Sequence, residues 1–346
     1  MISVKNKLSN VNQKKIVIWG SLLLFLVVLS LSFFLGKFSI SVTDFFRAVG
    51  NKVIPLEQTW SSQVETILFK IRFPRIIMAV VIGGGISVAG ATYQALFQNP
   101  MISQDILGAS QGAAFGAAIG LFFSFTYEQV ISLSFVFGLL AVAAVLLVSR
   151  FLRTDSVLNM VLIGMMIGSL FSSAVSFLKL VGDPTNTLPA ITYWLMGSLA
   201  SIKIQNVQFA APLILVGMVP IFLLRWRLNI ISLGEEEALS LGVNSRILRV
   251  ILILAATLIT ASAVSVSGLI GWVGLVVPHF SRMLIGNDYR YSIPVTALLG
   301  GTFLLIVDDF SRMLATSEIP IGILTSFIGA PIFLLLIAKN NRSVRS

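Results

Sequence analysis

Long apolar runs, separated by short polar segments, organise this chain from end to end. A helix needs roughly 20 apolar residues to cross the hydrocarbon core of a bilayer. The first such run, Ile16 to Gly36, carries no charge over 21 residues. Charge-free stretches follow at 76–104, 106–127, 129–149, 156–178, 204–224, 250–281, 291–307 and 319–338. The stretch 250–281 is too long for one crossing, and the glycines in SVSGLIGWVG predict a break near 268–271. Dividing it there gives ten spans. Segment 184–202, PTNTLPAITYWLMGSLASI, is apolar but interrupted by prolines and glycine, and is expected outside as a short, partly inserted helix. The pattern predicts an all-α polytopic membrane protein with ten transmembrane helices.

Composition agrees: the 346 residues are 56% hydrophobic and 11% charged, against about 25% charged in soluble domains. The formal charge of +10 does not imply nucleic-acid binding, because the basic residues cluster at the ends of apolar runs, as membrane anchors do. Without cysteine, disulfides and thiolate metal sites are excluded. The basic start, MISVKNKLSNVNQKK, precedes an apolar run longer than a signal-peptide core, so this run is read as a retained first span.

Ten spans place both termini on one side. With that side cytoplasmic, Lys5, Lys7, Lys14, Lys15, Arg150, Arg153, Arg225, Arg227, Arg246, Arg249, Arg282, Arg290, Lys339, Arg342 and Arg345 lie inside, 15 of the 24 basic residues. The bias obeys the positive-inside rule. It also places SLGEEEALSLGVNSR (232–246), the one run of three consecutive acids, in the cytoplasm. Among the basic residues left outside are Arg72 and Arg75, three apart in RFPR at the start of the second span. Two arginines flanking a proline predict a rigid positive edge, suited either to lipid headgroups or to an acidic partner.

The first eight spans have no charge near their middles, unlike proton-coupled transporters with their intramembrane relays. Asp308 and Asp309 fall near the outer end of span nine. His279, the single histidine, has no Cys or nearby Asp with which to build a metal site. Ser265, Ser267 and His279 do not form a nucleophile and base with an orienting acid. A Walker A sequence is absent, so ATP hydrolysis in the usual way is excluded.

Small residues fill VIGGGISVAGAT (81–92) and ILGASQGAAFGAAIG (106–120), where close helix contact is favoured. Gly90, Gly108, Gly112 and Gly116, with the neutral polar Gln94, Gln98, Asn99 and Gln111, either pack helices or line a path. Gly112 and Gly116 are four apart and share a helix face. RFPRIIMAVVIGGGISVAG (72–90) and SRILRVILILAATLITASAVSVSG (245–268) echo each other while crossing in opposite directions, as in an inverted repeat.

Four stretches carry a family resemblance: RFPR through GGGISVAGATYQALFQNPMISQDILGASQGAAFGAAIG at 72–120, SLGEEEALSLGV at 232–243, VSGLIGWVGLVVPHFSRMLIG at 266–286, and EIPIGILTSFIGAPIFLLLI at 318–337. Together they resemble the iron-complex and vitamin B12 permeases of bacterial ABC importers, the FecCD-type permeases. The resemblance implies a single permease domain over 1–346 with the type II importer fold. It implies a cell-membrane dimer of two copies, or of a copy and a paralogue, around a central path. Two cytoplasmic ATPase subunits would supply ATP and Mg chemistry, and an extracytoplasmic binding protein would deliver solute. This chain itself would hold no cofactor and no metal, and would not be an enzyme.

Segment 232–243 looks like the family's coupling segment, expected as two short helical pieces with turns at Gly234 and Gly242. Leu233, Leu239 and Leu241 would enter an ATPase cleft, while Glu235, Glu236 and Glu237 would face its rim. The resemblance also implies that Arg72, Arg75 and Arg312 receive acids from the binding protein, although Asp308 and Asp309 offer Arg312 another partner. The solute implied first is an iron complex, a ferric siderophore or haem. Cobalamin and molybdate or tungstate stay open, since YQALFQNPMISQDILGASQGAAFGA is also similar to the metal-oxyanion branch. A secondary transporter is the remaining rival, and it lacks the expected intramembrane charges.

Overall fold

The computed structural model describes residues 2–343 except 53, 55–59 and 153–156, with side chains described over 12–335. Arg153 and Arg345 from the charge count lie outside the described residues, as do the side chains of Lys5, Lys7, Lys339 and Arg342. Among the described residues every regular element is helical: α1 (Ile2–Ser32), α2 (Val42–Gly50), α3 (Ser62–Glu65), a π-helical turn (Thr66–Arg72), α4 (Phe73–Leu96), α5 (Ala109–Phe122), α6 (Tyr127–Phe151), α7 (Val157–Val181), α8 (Thr187–Leu195), α9 (Ile204–Ile231), α10 (Glu235–Ser240), α11 (Ser245–Ser267), α12 (Val273–Ile285), α13 (Tyr289–Met313) and α14 (Ile321–Ser343).

Among the described residues, seven helices are long and apolar enough to cross a membrane, and three shorter apolar ones lie at Ala109–Phe122, Val273–Ile285 and Ile321–Leu335. At 1.5 Å per residue, α5 and α12 reach only about 20 Å, less than the roughly 30 Å hydrocarbon core. The ten expected spans therefore correspond to helices, but two of them are half-length. The second expected span, 76–104, is also corrected. Helix α4 stops at Leu96, and the chain continues to Gly108 without regular structure. Pro100 disfavours the helical region at Asn99, Gln98 takes a positive φ, and Asn99 Oδ1 accepts the Met101 amide at 2.9 Å. The break expected at 268–271 separates α11 from α12.

Helices α4 and α11 form the centre, with 83% and 72% of their most apolar windows buried; α1, α7 and α9, at 11%, 22% and 28%, are peripheral. A helix apolar all round belongs in the interior, and α4 fits that rule. Where α11 carries hydroxyls, they bond back to the preceding turn, as Thr257 does to Ile253 O at 2.7 Å and Thr260 to Ala256 O at 2.9 Å. These internal bonds satisfy the hydroxyls without water. Tyr93 Oη lies 3.2 Å from Thr257 Oγ1, and Gly85 abuts Ile259, so α4 and α11 are antiparallel neighbours. Each is followed by a coil, a half-length helix (α5, α12) and a long helix (α6, α13). The faint sequence echo thus has a matching order of elements.

One end of the bundle carries α10, and α1 approaches it through Lys14, 4.0 Å from Asp288. Asp288 caps α13, accepts Asn229 Nδ2 at 2.8 Å and pairs with Arg290 at 2.9 Å. Partial burial pushes its carboxyl up, but the hydrogen bonds from Arg290 and Asn229 outweigh that and hold it down at about 2. Asparagine keeps a capping oxygen and removes the charge. Because the folded value is depressed from 3.8, the stabilisation by charge is complete above the unfolded value and vanishes as pH falls through about 2. The thermal midpoint of wild type should exceed that of Asp288→Asn by a constant margin above pH ~4, a margin that closes toward pH 2. A margin unchanged across that window would exclude the charge as its source.

Candidate functional site

Three places bear on function: the α10 end, the opposite end, and the bundle interior where helices break. At the α10 end, Gly234 and Gly242 have φ of 133° and 75°. The Val243 amide donates to Ala238 O and the Gly242 amide to Leu239 O, both at 2.9 Å. This pair of bonds with a left-handed glycine is the Schellman ending of a helix. The two expected helical pieces are instead one helix, α10, followed directly by the start of α11. Ala238 is buried while Leu233, Leu239 and Leu241 are about 60% exposed (60%, 59% and 59%). Glu236 and Glu237 are exposed. Glu235 turns back to Arg249 Nη2 at 3.3 Å and to Ser245 Oγ at 3.3 Å. That contact anchors α10 on α11 while leaving the Glu235 side chain partly exposed.

At the opposite end the arginines lie together, but not as an exposed edge. Arg72, Arg75 and Arg312 are 4%, 2% and 6% exposed. Arg75 Nε reaches Asp308 at 2.8 Å and its Nη1 reaches Glu318 at 2.8 Å. Arg312 pairs with Asp309 and, at 3.3 Å, with Asp308. Arg72 donates to the carbonyls of Phe33 and Phe38, and Ser32 Oγ donates to Asp309 at 2.6 Å. The physical reason for the correction is desolvation: a buried guanidinium requires acceptors, and α13 and the end of α1 supply them. Asp308 and Asp309 do neutralise Arg312, as the sequence allowed. Glu318 was missed; its spacing from RFPR, some 240 positions, gave no local signal.

In the interior, the small-residue helices pack. A side chain at Gly90 would collide with the Gly274 carbonyl, at Gly112 with that of Phe137, and at Gly116 with that of Leu133. Gly108 lies against Gly164 and Gly168. Gln94 Nε2 bonds Ile102 O at 3.0 Å, and Gln98 Nε2 reaches Ile231 O at 3.3 Å. Gln104 bonds Asp105 at 2.9 Å and reaches Ile270 O at 3.4 Å, joining the two helix breaks. Ser110 completes this group with a bond to Asp105. A cleft of about 570 Å³ opens instead beside Leu195, Met196, Leu269, Gly271, Ile323 and Phe327. It sits where three interruptions meet: the Ser198 amide bonds Ser267 O at 2.7 Å and the Ile321 amide bonds Gly197 O at 2.8 Å. The glycine-interrupted stretches around 197, 271 and 322 were the available signal for it.

Seven helices among the described residues are long and apolar enough to cross a membrane, and the bundle they form has broken helices inside, exposed leucines at one end and a buried ionic cluster at the other. The FecCD transport family model matches residues 22–339, and the chain belongs to that family. It is 38% identical to the molybdate import system permease protein MolB of Haemophilus influenzae, over 94% of this chain and 96% of the relative. It is 35% identical to the hemin transport system permease protein HmuU of Yersinia pestis, over 92% and 95%. Among solved structures, an inward-facing metal-chelate type ABC transporter matches with a TM-score of 0.83 at 37% identity, over 93% of this chain and 99% of that one. The chain is thus a multi-pass permease subunit of an ABC importer and has the fold of that class.

The packing of α5 on α6 is directly testable. Gly116→Leu should overpack that contact and cost about 1–3 kcal/mol, seen as a lower thermal midpoint and reduced uptake. Wild-type values for both would refute the close approach.

Proposed function

We propose that this chain, as a single permease domain of a bacterial cell membrane, forms a dimer that moves an iron complex, a ferric siderophore or haem, into the cytoplasm. Both termini and α10 face the cytoplasm in this reading, which the positive-inside bias supports. ATP and Mg belong to two partner ATPase subunits, and the permease converts their closure into a change of access. The observation that carries the reading is the family membership joined to exposed Leu233, Leu239 and Leu241 on a short helix held by Glu235 and Arg249. An apolar tip on a rigid base suits insertion into a partner's cleft. A second reading, import of molybdate or tungstate, is favoured by the near full-length similarity to the molybdate permease.

The solute test is calorimetry on the importer's binding protein with ferric siderophores, haem, cobalamin and molybdate. Binding of an iron complex alone supports the first reading, and binding of molybdate alone replaces it with the second. Coupling is tested by Leu239→Asp with Leu241→Asp. An unpaired charge carried into an apolar cleft is costly, so ATPase association should fall at least tenfold, with uptake lost while the permease still inserts. Unchanged association and uptake in reconstituted vesicles would sink the coupling role. The exposed Lys37, rather than the buried arginines, tests docking of the binding protein: charge reversal at Arg75 would bury a new carboxylate against Asp308 and Glu318, whereas Lys37→Glu acts at the exposed rim.

A further inference from the structure

Beside the buried arginines lies a cleft of about 200 Å³, lined by Gly36, Lys37, Arg72, Arg75, Arg312 and Glu318 among others. Its charges are uneven in access. Asp308 and Asp309 side chains are 0% and 9% exposed, while Glu318 is 34% exposed. Glu318 is therefore the acid that meets solvent. It sits in the link between α13 and α14, held by a Ser311 Oγ bond to Ile319 O at 2.6 Å and an Ile319 amide bond to Ser311 O at 3.3 Å. Both Glu318 oxygens accept from Arg75 Nη1, at 3.0 and 2.8 Å. Arg75 Nη2 is buried and without a hydrogen-bond partner among the described residues. The fork of Arg75 is thus engaged along one edge by Asp308 and at one tip by Glu318, with its remaining donor unused.

We propose that Glu318 is an exchangeable, resident carboxylate: it occupies Arg75 until an Asp or Glu side chain of the docking binding protein takes its place. This inference rests on the reading that the binding protein docks at this end. The chemistry favours exchange over simple addition. Without Glu318, Arg75 would keep only Asp308, which Arg312 also shares, so the buried cluster would carry an excess of positive charge, and that is unfavourable. An incoming carboxylate restores the charge balance and can use Nη1 and Nη2 together, the parallel two-bond geometry in which guanidinium holds carboxylate best. Glu318, reaching Nη1 alone, makes the poorer contact. Lys37 at the exposed rim adds attraction for an acidic partner, and its own ammonium is tethered to Thr316 O at 2.5 Å, in the same link as Glu318. Leaving of Glu318 would so be felt by the link that opens α14.

The test measures the equilibrium and association rate of the solute-free binding protein on the permease–ATPase complex in nanodiscs at low salt, where rim charges are least screened. Glu318→Gln removes the competing carboxylate and should tighten binding by about tenfold, the gain of one charge-assisted contact no longer displaced. Glu318→Asp, too short to hold Nη1 as well, should tighten it by a smaller factor and serves if the Gln variant lowers the thermal midpoint. Lys37→Glu should slow association and weaken binding. If Lys37→Glu weakens binding while neither Glu318 variant tightens it, the exchange is overturned and docking at this end stands. If all three bind as wild type does, docking at this end is itself overturned.

Discussion

Peptide groups inside a bilayer find no water, and this constraint governs the architecture. Each backbone N–H and C=O at membrane depth must be met by the protein itself. The chain nevertheless breaks its helices at 97–108 and 268–272. It can do so because side-chain amides stand in for the missing helical partners. Gln94 of α4 meets the Ile102 carbonyl in the first break, and Gln104 of the first break reaches the Ile270 carbonyl in the second. The first break lies against α7, α9 and α12, where glycines such as Gly164 and Gly274 let it approach to contact distance. Small side chains are a consequence of this arrangement: without Gly90 against Gly274, the half-length helix α12 would have no room beside α4.

The same low-dielectric interior explains the ionic cluster. Three guanidinium groups among apolar neighbours would be untenable alone, yet here Asp308, Asp309, Glu318 and the carbonyls ending α1 receive them. The cluster fastens α1, α4, α13 and the link to α14 at one end of the bundle. At the other end the balance is reversed: the polar contacts, Glu235 with Arg249 and Asp288 with Asn229 and Arg290, support a surface whose leucines stay exposed. Exposed leucines on a well-anchored helix mark a contact surface, whereas paired arginines under a partly exposed glutamate mark a guarded one. The two ends therefore offer different kinds of contact, one apolar and open, the other charged and internally satisfied.

What the amino-acid order determined by itself was whatever a single helix or a local motif can decide. The apolar runs placed the helices, and Gly268 and Gly271 placed the second break, because length and glycine act within one segment. RFPR, SLGEEEALSLGV and VVPHF carried the family. Gly242 foretold a turn, since few other residues adopt its conformation. Tertiary structure alone decided the rest. Whether Arg75 met solvent or Asp308 depended on α13, more than 230 positions away, and no local pattern encodes that pairing. Gly112 and Gly116 had one face in either reading, and only the seating of α6 made that face a contact rather than a path. The first break falls inside an expected span because 76–104 carries no charge. What stopped the helix was Asn99–Pro100 together with the partner that Gln94 supplies to the Ile102 carbonyl in the folded chain. Charge and polarity near an interior are settled by whichever groups the fold brings within reach, and hydropathy does not contain that information.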